Sequence, residues 1–182
     1  MPNDADISLA NRLADAAGQA IRPLFRGTWS EERKADRSFV TEADRAAEAA
    51  MRALLEAERP GDGIVGEEYG TVREGAARQW VLDPIDGTTS FIAGRPIFGT
   101  LIALVQDGWP VMGVIDQPVA GERWVGTVGG GTTFNGKRAT TRACRELSDA
   151  VLATTSPHLF TGTEVDHFMA LAKSVAERKI VY

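Results

Sequence analysis

Residues 80 to 90 read Trp80-Val81-Leu82-Asp83-Pro84-Ile85-Asp86-Gly87-Thr88-Thr89-Ser90. An apolar run, Val81 and Leu82, delivers two carboxylates, Asp83 and Asp86, across a rigid Pro84, and the Gly-Thr-Thr step that follows can open a helix. A strand end fixes Asp83, and the three-residue offset lets Asp86 turn back toward the same place. Two hard oxygen ligands then converge beside Gly87. A ligand can approach the backbone closely there, and the free N–H groups of a helix start form an anion site. This is the layout of a metal site next to a phosphate site. Asp-Pro and Asp-Gly are also ordinary turn dipeptides, which a strand-turn-helix connection uses with no chemistry at all.

Upstream of this stretch the pattern is helical. Ile7, Leu13, Ala17, Ile21 and Leu24 recur at helix spacing, with a bend or end near Pro23, and a second helix runs from about Thr41 to Glu58 before Pro60-Gly61. The charged connector from Glu31 to Arg37 reads as a solvated, mobile loop. From Gly63 onward the pattern changes to strands: Gly63 to Gly66, Trp80 to Leu82, Phe98 to Val105, Val111 to Ile115, Glu122 to Thr127 and Val151 to Thr155. Gln106-Asp107-Gly108-Trp109-Pro110 and Asn135-Gly136 are hairpin signals, so neighbouring strands are expected to be antiparallel. A last amphipathic helix is expected from about Glu164 to Glu177. The class is α+β, a helix pair packed on an antiparallel sheet with a further helix after it.

Composition narrows the function. The chain has 182 residues, 43% hydrophobic and 25% charged, enough to bury a core. Its net charge is −5 and no basic run stands out, so nothing supplies the surface that a nucleic acid needs. The start, Met1 to Asp6, is acidic and has no apolar signal-type core, and no apolar run is long enough to span a bilayer. A cytoplasmic protein with no membrane partner is expected. Cys144 is the only cysteine, which excludes an internal disulfide or a cysteine zinc cluster in this chain. His158 reads as a plain loop histidine.

Asp83-Pro84-Ile85-Asp86-Gly87-Thr88-Thr89, preceded by Gly66-Glu67-Glu68, resembles the signature of the inositol monophosphatase family of magnesium-dependent, lithium-sensitive phosphatases. That resemblance implies the first part of the family's layered α/β sandwich and a site built residue by residue. Glu67 would be a metal ligand, with Glu68 left at the surface or behind it. Asp83 would bridge two Mg2+ ions, Asp86 would hold the second, and the carbonyl of Ile85 would complete the first. The amides of Gly87 and Thr88 would hold the phosphate, with Asp86 and Thr89 beside them. The family also has a Val-Thr-x-x-Asp element, matched by Val40, Thr41 and Asp44, whose aspartate pairs with the threonine of Asp-Gly-Thr. Asp44 and Thr88 would then orient and deprotonate the attacking water, with Glu67 counted among the catalytic groups. Thr41 and Asp44 also fit a helix capping box, in which Asp44 has no catalytic task. All the implied ligands are oxygens, which suits Mg2+ and disfavours zinc or copper. The implied reaction is in-line attack of water on a phosphomonoester.

Ser90, where most inositol-type members have asparagine, leads into Phe91 to Leu104, followed downstream by Gly113 to Val119 and Glu122 to Gly126. In combination these look like the histidinol-phosphate phosphatase branch. The expected reaction is L-histidinol phosphate to L-histidinol and phosphate, a step of histidine biosynthesis. An inositol-1-monophosphatase or related sugar phosphatase is the alternative, and an inactive metal- or phosphate-binding fragment is the alternative of another class. Family members carry a further domain with a third metal-binding aspartate, whereas this chain stops at Ile180-Val181-Tyr182. An amino-terminal fragment is therefore expected, with residues 1–182 as one metal- and phosphate-binding domain, or 1–150 as its core and 151–182 as the start of a second. Leu13-Ala14-Asp15-Ala16-Ala17-Gly18 resembles the later family element only superficially. The expected partner is a small phosphorylated substrate, and a homodimer stays open.

Overall fold

The computed structural model describes residues 1–27, 31–33, 39–175 and 180–181. The chain divides into two compact units, Met1–Ala139 and Thr140–Tyr182.

In the first unit, helix α1 (Asp4–Ile21) starts at Asn3, whose side chain accepts the amide of Asp6 while the Asp6 carboxylate accepts the amide of Asn3. Leu9, Leu13, Ala17 and Ile21 form its buried stripe. Strands β1 (Glu31–Arg33) and β2 (Phe39–Thr41) pair antiparallel. Part of the expected loop is therefore a strand, because Phe39-Val40-Thr41 gives it a β-prone partner. Residues 34–37 of that connector lie outside the described residues. Helix α2 (Glu42–Glu58) follows β2 directly and buries Ala43, Ala47, Met51 and Leu55.

The sheet is built from β3 (Gly63–Gly66), β4 (Gly70–Val72), β5 (Arg78–Asp86), β6 (Gly99–Gln106), β7 (Trp109–Gln117), β8 (Glu122–Thr127), β9 (Gly131–Phe134) and β10 (Lys137–Ala139). A short helix α3 (Thr88–Ile92) separates β5 from β6. The strand order is β10-β9-β8-β7-β6-β5-β3-β4. From β5 to β10 every neighbour is antiparallel, as the hairpin signals require. The expectation of antiparallel neighbours fails at one place: β3 and β5 are parallel. The β4 hairpin occupies the outer side of β3, so the returning chain enters on the inner side in the same direction as β3. The α+β class stands, with a mixed sheet.

One face of the sheet is buried with alternating periodicity. Trp80 and Leu82 of β5, Ile102 and Leu104 of β6, and Met112 and Val114 of β7 join the stripes of α1 and α2 in a single core. Burying each such side chain contributes about 1.5 to 3 kcal/mol. Phe25, Phe91 and Phe98 form a ring cluster with centroids 5.2 to 5.7 Å apart, which anchors α3 through Phe91.

In the second unit, β11 (Leu152–Ala153) pairs parallel with β12 (Ile180–Val181), and helix α4 (Thr163–Ser174) buries Phe168, which stacks on Phe160. The expected strand from 151 to 155 is thus only two residues long. The expected helix ends at Ser174, and residues 176–177 of that expectation lie outside the described residues.

Candidate metal and phosphate site

The parallel pairing creates the site. Its register sets Gly66 beside Leu82, so the next residues emerge side by side, Glu67 just past the end of β3 and Asp83 at the last regular position of β5 before its bulge. The amide of Glu67 donates to the carbonyl of Leu82 at 3.2 Å. Between Asp83 and Asp86 the register of β5 against β6 shifts, and pairing resumes at Asp86 with Gly99. Pro84 sits in this bulge, where its missing N–H costs nothing, and its carbonyl accepts the buried Thr100 hydroxyl at 2.8 Å. Helix α2 begins at the same end of the sheet. Its Asp44 is buried, and one oxygen accepts both the amide of Thr41 at 2.8 Å and the Thr41 hydroxyl at 2.5 Å. The capping box read from the sequence is therefore formed.

Asp83 lies in the field of Glu67, Asp86 and Asp44, and Asp44 in that of Glu67. The Asp83 carboxyl is pushed up from 3.8 to about 7, first by burial, then by the charge of Glu67 and a hydrogen bond with it, then by the charges of Asp86 and Asp44. Asp44 is also raised, by burial first, with its Thr41 bonds opposing and the Glu67 charge adding to the rise. Among the described residues, Asp83 Oδ1 is buried with no hydrogen-bond partner. Among the described residues, no group of three or more His, Cys, Asp or Glu is arranged to hold a metal ion. An orphaned buried carboxylate oxygen amid like charges, with an all-oxygen donor set, fits a hard divalent cation.

The phosphate side is α3. Gly87 caps it at φ +91°, a left-handed conformation that favours glycine, and among the described residues no side-chain cap bonds the first-turn amides. Gly87, Thr89, Asp86 and Glu67 are exposed, so a small ligand can reach them, while Asp83 is half-buried. Two expectations meet a different arrangement. The Thr88 hydroxyl donates to the carbonyl of Ile85 at 3.1 Å, and the described hydrogen bonds include none between Thr88 and Asp44. The position of Thr88 at the first turn of α3 puts its hydroxyl within reach of the carbonyl three residues back. The Ile85 carbonyl is therefore already an acceptor, and its side chain is core.

Sequence reading passed over Glu48. It is fully buried one helical turn after Asp44, and the stripe Asp44, Glu48, Met51, Leu55 carries two carboxylates on an apolar face. Acids placed on a buried stripe were the signal available. The other sequence candidates lie apart from this chemistry. Asp15 of the superficial Asp-x-Ala-Ala-Gly match bonds Arg123, at the edge of a cavity of about 800 Å³ whose guanidinium is satisfied by Asp15, Asp116 and Asn11. Cys144 and His158 are exposed.

A profile of the inositol monophosphatase family matches residues 3–176. The chain is 50% identical over 160 residues to the chloroplastic bifunctional phosphatase IMPL2 of Arabidopsis thaliana, covering 87% of this chain and 46% of that protein. It is 44% identical over 120 residues to the histidinol-phosphatase of Mycobacterium tuberculosis, covering 65% of this chain and 46% of that protein. It thus spans about half the length of these curated relatives. Among solved structures, an inositol monophosphatase from Zymomonas mobilis superposes with a TM-score of 0.84 at 54% identity, over 98% of this chain and 68% of that one.

Proposed function

The chain belongs to the inositol monophosphatase family, whose members are phosphomonoester hydrolases and generally metal-dependent, and from that premise we propose that it forms the cation- and phosphate-binding half of a Mg2+-dependent phosphatase. The observation that carries this reading is the buried, unpartnered Asp83 oxygen among Asp44, Glu67 and Asp86. Glu67, Asp83 and Asp86 would hold the cation, which when bound supplies charge neutralisation at the phosphoryl and leaving oxygens and acidifies water.

The chain's own groups do the rest. Gly87 brings no side chain of its own to the start of α3, so the amides of Gly87, Thr88 and Thr89 take phosphate oxygens. Asp44 accepts the proton of the attacking water. The Thr88 hydroxyl, by donating to a carbonyl, keeps its oxygen lone pairs for that water.

L-histidinol phosphate is the proposed substrate, with a cytoplasmic role in histidine biosynthesis, because of Ser90 and the stretch to Gly126 and because a histidinol-phosphatase is 44% identical. Inositol 1-phosphate is the second reading, favoured by the 54% identity to the Zymomonas mobilis enzyme. Phosphate release with Mg2+ from L-histidinol phosphate, myo-inositol 1-phosphate and fructose 1,6-bisphosphate decides between them. The assay takes residues 1–182 alone and the same residues joined to the carboxy-terminal half of the Arabidopsis relative. Higher kcat/KM on inositol phosphate would reverse the substrate order. Absence of both cation binding and turnover in either form would reject the phosphatase reading.

A further inference from the structure

Glu48 is fully buried, yet it is a carboxylate, and such a group is costly to bury unless its lone pairs are engaged. Its Oε2 accepts the amide of Glu68 at 2.7 Å. Its Oε1 accepts the amide of Tyr69 at 3.2 Å and Nε of Arg52 at 2.7 Å. Two of these donors are the consecutive backbone amides that follow Glu67. The Glu67 amide itself is held by the Leu82 carbonyl of β5. The backbone that carries the Glu67 side chain is thus tied to the sheet on one side and to α2 on the other.

The surroundings are shaped for this clamp. Arg52, one turn along α2, balances the Glu48 charge, bonds the Gly70 carbonyl and lies 5.9 Å from the Tyr69 ring centroid. Gly66 leaves the space that the carboxylate fills, since a Cβ at that position would overlap Glu48 Oε1. Asp44 and Glu48 come from one face of one helix, so α2 sets the buried acid of the site and the turn that bears Glu67 as a unit.

The geometry points to Glu48 as a positioning residue: it fixes the turn from Glu67 to Tyr69 and thereby aims Glu67 at Asp83 and the cation. It touches neither cation nor substrate. This assignment rests on the cation site proposed above. A bond behind a ligand that fixes its orientation typically changes metal affinity or activity by about 10- to 100-fold when removed.

The test uses residues 1–182 and Mg2+ titrated by calorimetry, with amide hydrogen exchange as a second readout. Glu48→Gln offers one acceptor oxygen in place of two and turns an NH2 toward an amide donor, so one of the two turn amides loses its partner. Its Mg2+ dissociation constant is expected to rise about 10- to 100-fold at a temperature where the variant is fully folded. The amides of Glu68 and Tyr69 are expected to be protected in the unaltered chain and to exchange faster in the variant. Unchanged Mg2+ affinity in folded Glu48→Gln overturns the positioning role alone. No Mg2+ binding by the unaltered chain overturns the cation site and this role with it. Should Glu48→Gln not fold, Glu48→Asp replaces it with the same expected weakening. In either case, rapid exchange of the Glu68 and Tyr69 amides in the folded, unaltered chain overturns the clamp.

Discussion

The amide of Glu67 donates to the carbonyl of Leu82, one residue short of Asp83. That bond belongs to the only described parallel pairing in the larger sheet, and it is why two acids 16 positions apart in sequence share one place. An antiparallel partner in the same slot would have run the other way and carried Glu67 away from Asp83.

Asp83→Asn removes the charge whose oxygen is buried and unpartnered. In chelator at pH 8, where the Asp83 carboxyl has lost its proton, the variant is expected to be more stable than the unaltered chain by about 1 to 3 kcal/mol, because it carries no buried charge for Glu67 to repel. It is also expected to lose the stabilisation that Mg2+ gives. Urea unfolding with and without Mg2+ measures both. A destabilised variant in chelator would show that Asp83 is not under electrostatic stress.

The same stress sets a pH dependence. The folded Asp83 carboxyl titrates near 7 and the unfolded one near 3.8, so between those values the folded state holds a proton that the unfolded state has lost. Stability of the metal-free chain is therefore expected to fall as pH rises through this window, and to level off above it. Saturating Mg2+ competes with the proton and is expected to flatten or reverse the slope. Urea midpoints at pH 5 and pH 8 in chelator check the sign; equal midpoints would contradict it.

Thr41 and Asp44 separate stability from chemistry. Thr41→Ala removes a hydroxyl that donates to Asp44 and accepts the amide of Ala43. It is expected to cost about 0.5 to 2 kcal/mol, as helix caps do. Asp44→Asn retains an acceptor for the cap, so stability is expected to change less. In the chimera, Asp44→Asn is expected to lower turnover by about a hundred- to ten-thousand-fold. Near-normal turnover in Asp44→Asn would leave Asp44 with its cap alone.

Gly87→Ala tests the phosphate side. With φ at +91° and a Cβ that would meet the Ile97 carbonyl oxygen at 3.4 Å, alanine strains the start of α3. A loss of about 1 to 3 kcal/mol in stability is expected. Inorganic phosphate, measured as a competitor of turnover in the chimera, is expected to bind more weakly, while Mg2+ affinity changes little. Unaltered phosphate inhibition would move the anion site elsewhere.

Local signals made much of this legible. The helical spacing of Ile7, Leu13, Ala17 and Ile21, the Thr41 cap and the strand run from Phe98 to Val105 each show their structure within a few residues, and the corresponding elements α1, α2 and β6 are present. Strand β4 and the parallel direction of β3 against β5 were not legible, because pairing direction depends on where a distant strand enters the sheet. The site divides the same way. Asp83 and Asp86 stand in one short string, whereas Glu48 acts through the backbone of residues twenty positions away. Its role has no sequence motif, only an acid where an apolar residue would be expected. The Thr88 hydroxyl bond to Ile85 reflects local helix geometry that the resemblance to a family did not convey.

Gly66 is not among the glycines with positive φ, so its backbone is open to any residue and only its lack of bulk matters. Positions 48 and 66 therefore constrain each other through volume. Among homologous chains, a side chain at 66 should be accompanied by a shorter residue at 48, and lineages that made this exchange should have found another support for the turn after Glu67. Substitution at either position alone should be rare, which makes the pair a historical record of the clamp that can be read without purifying a protein.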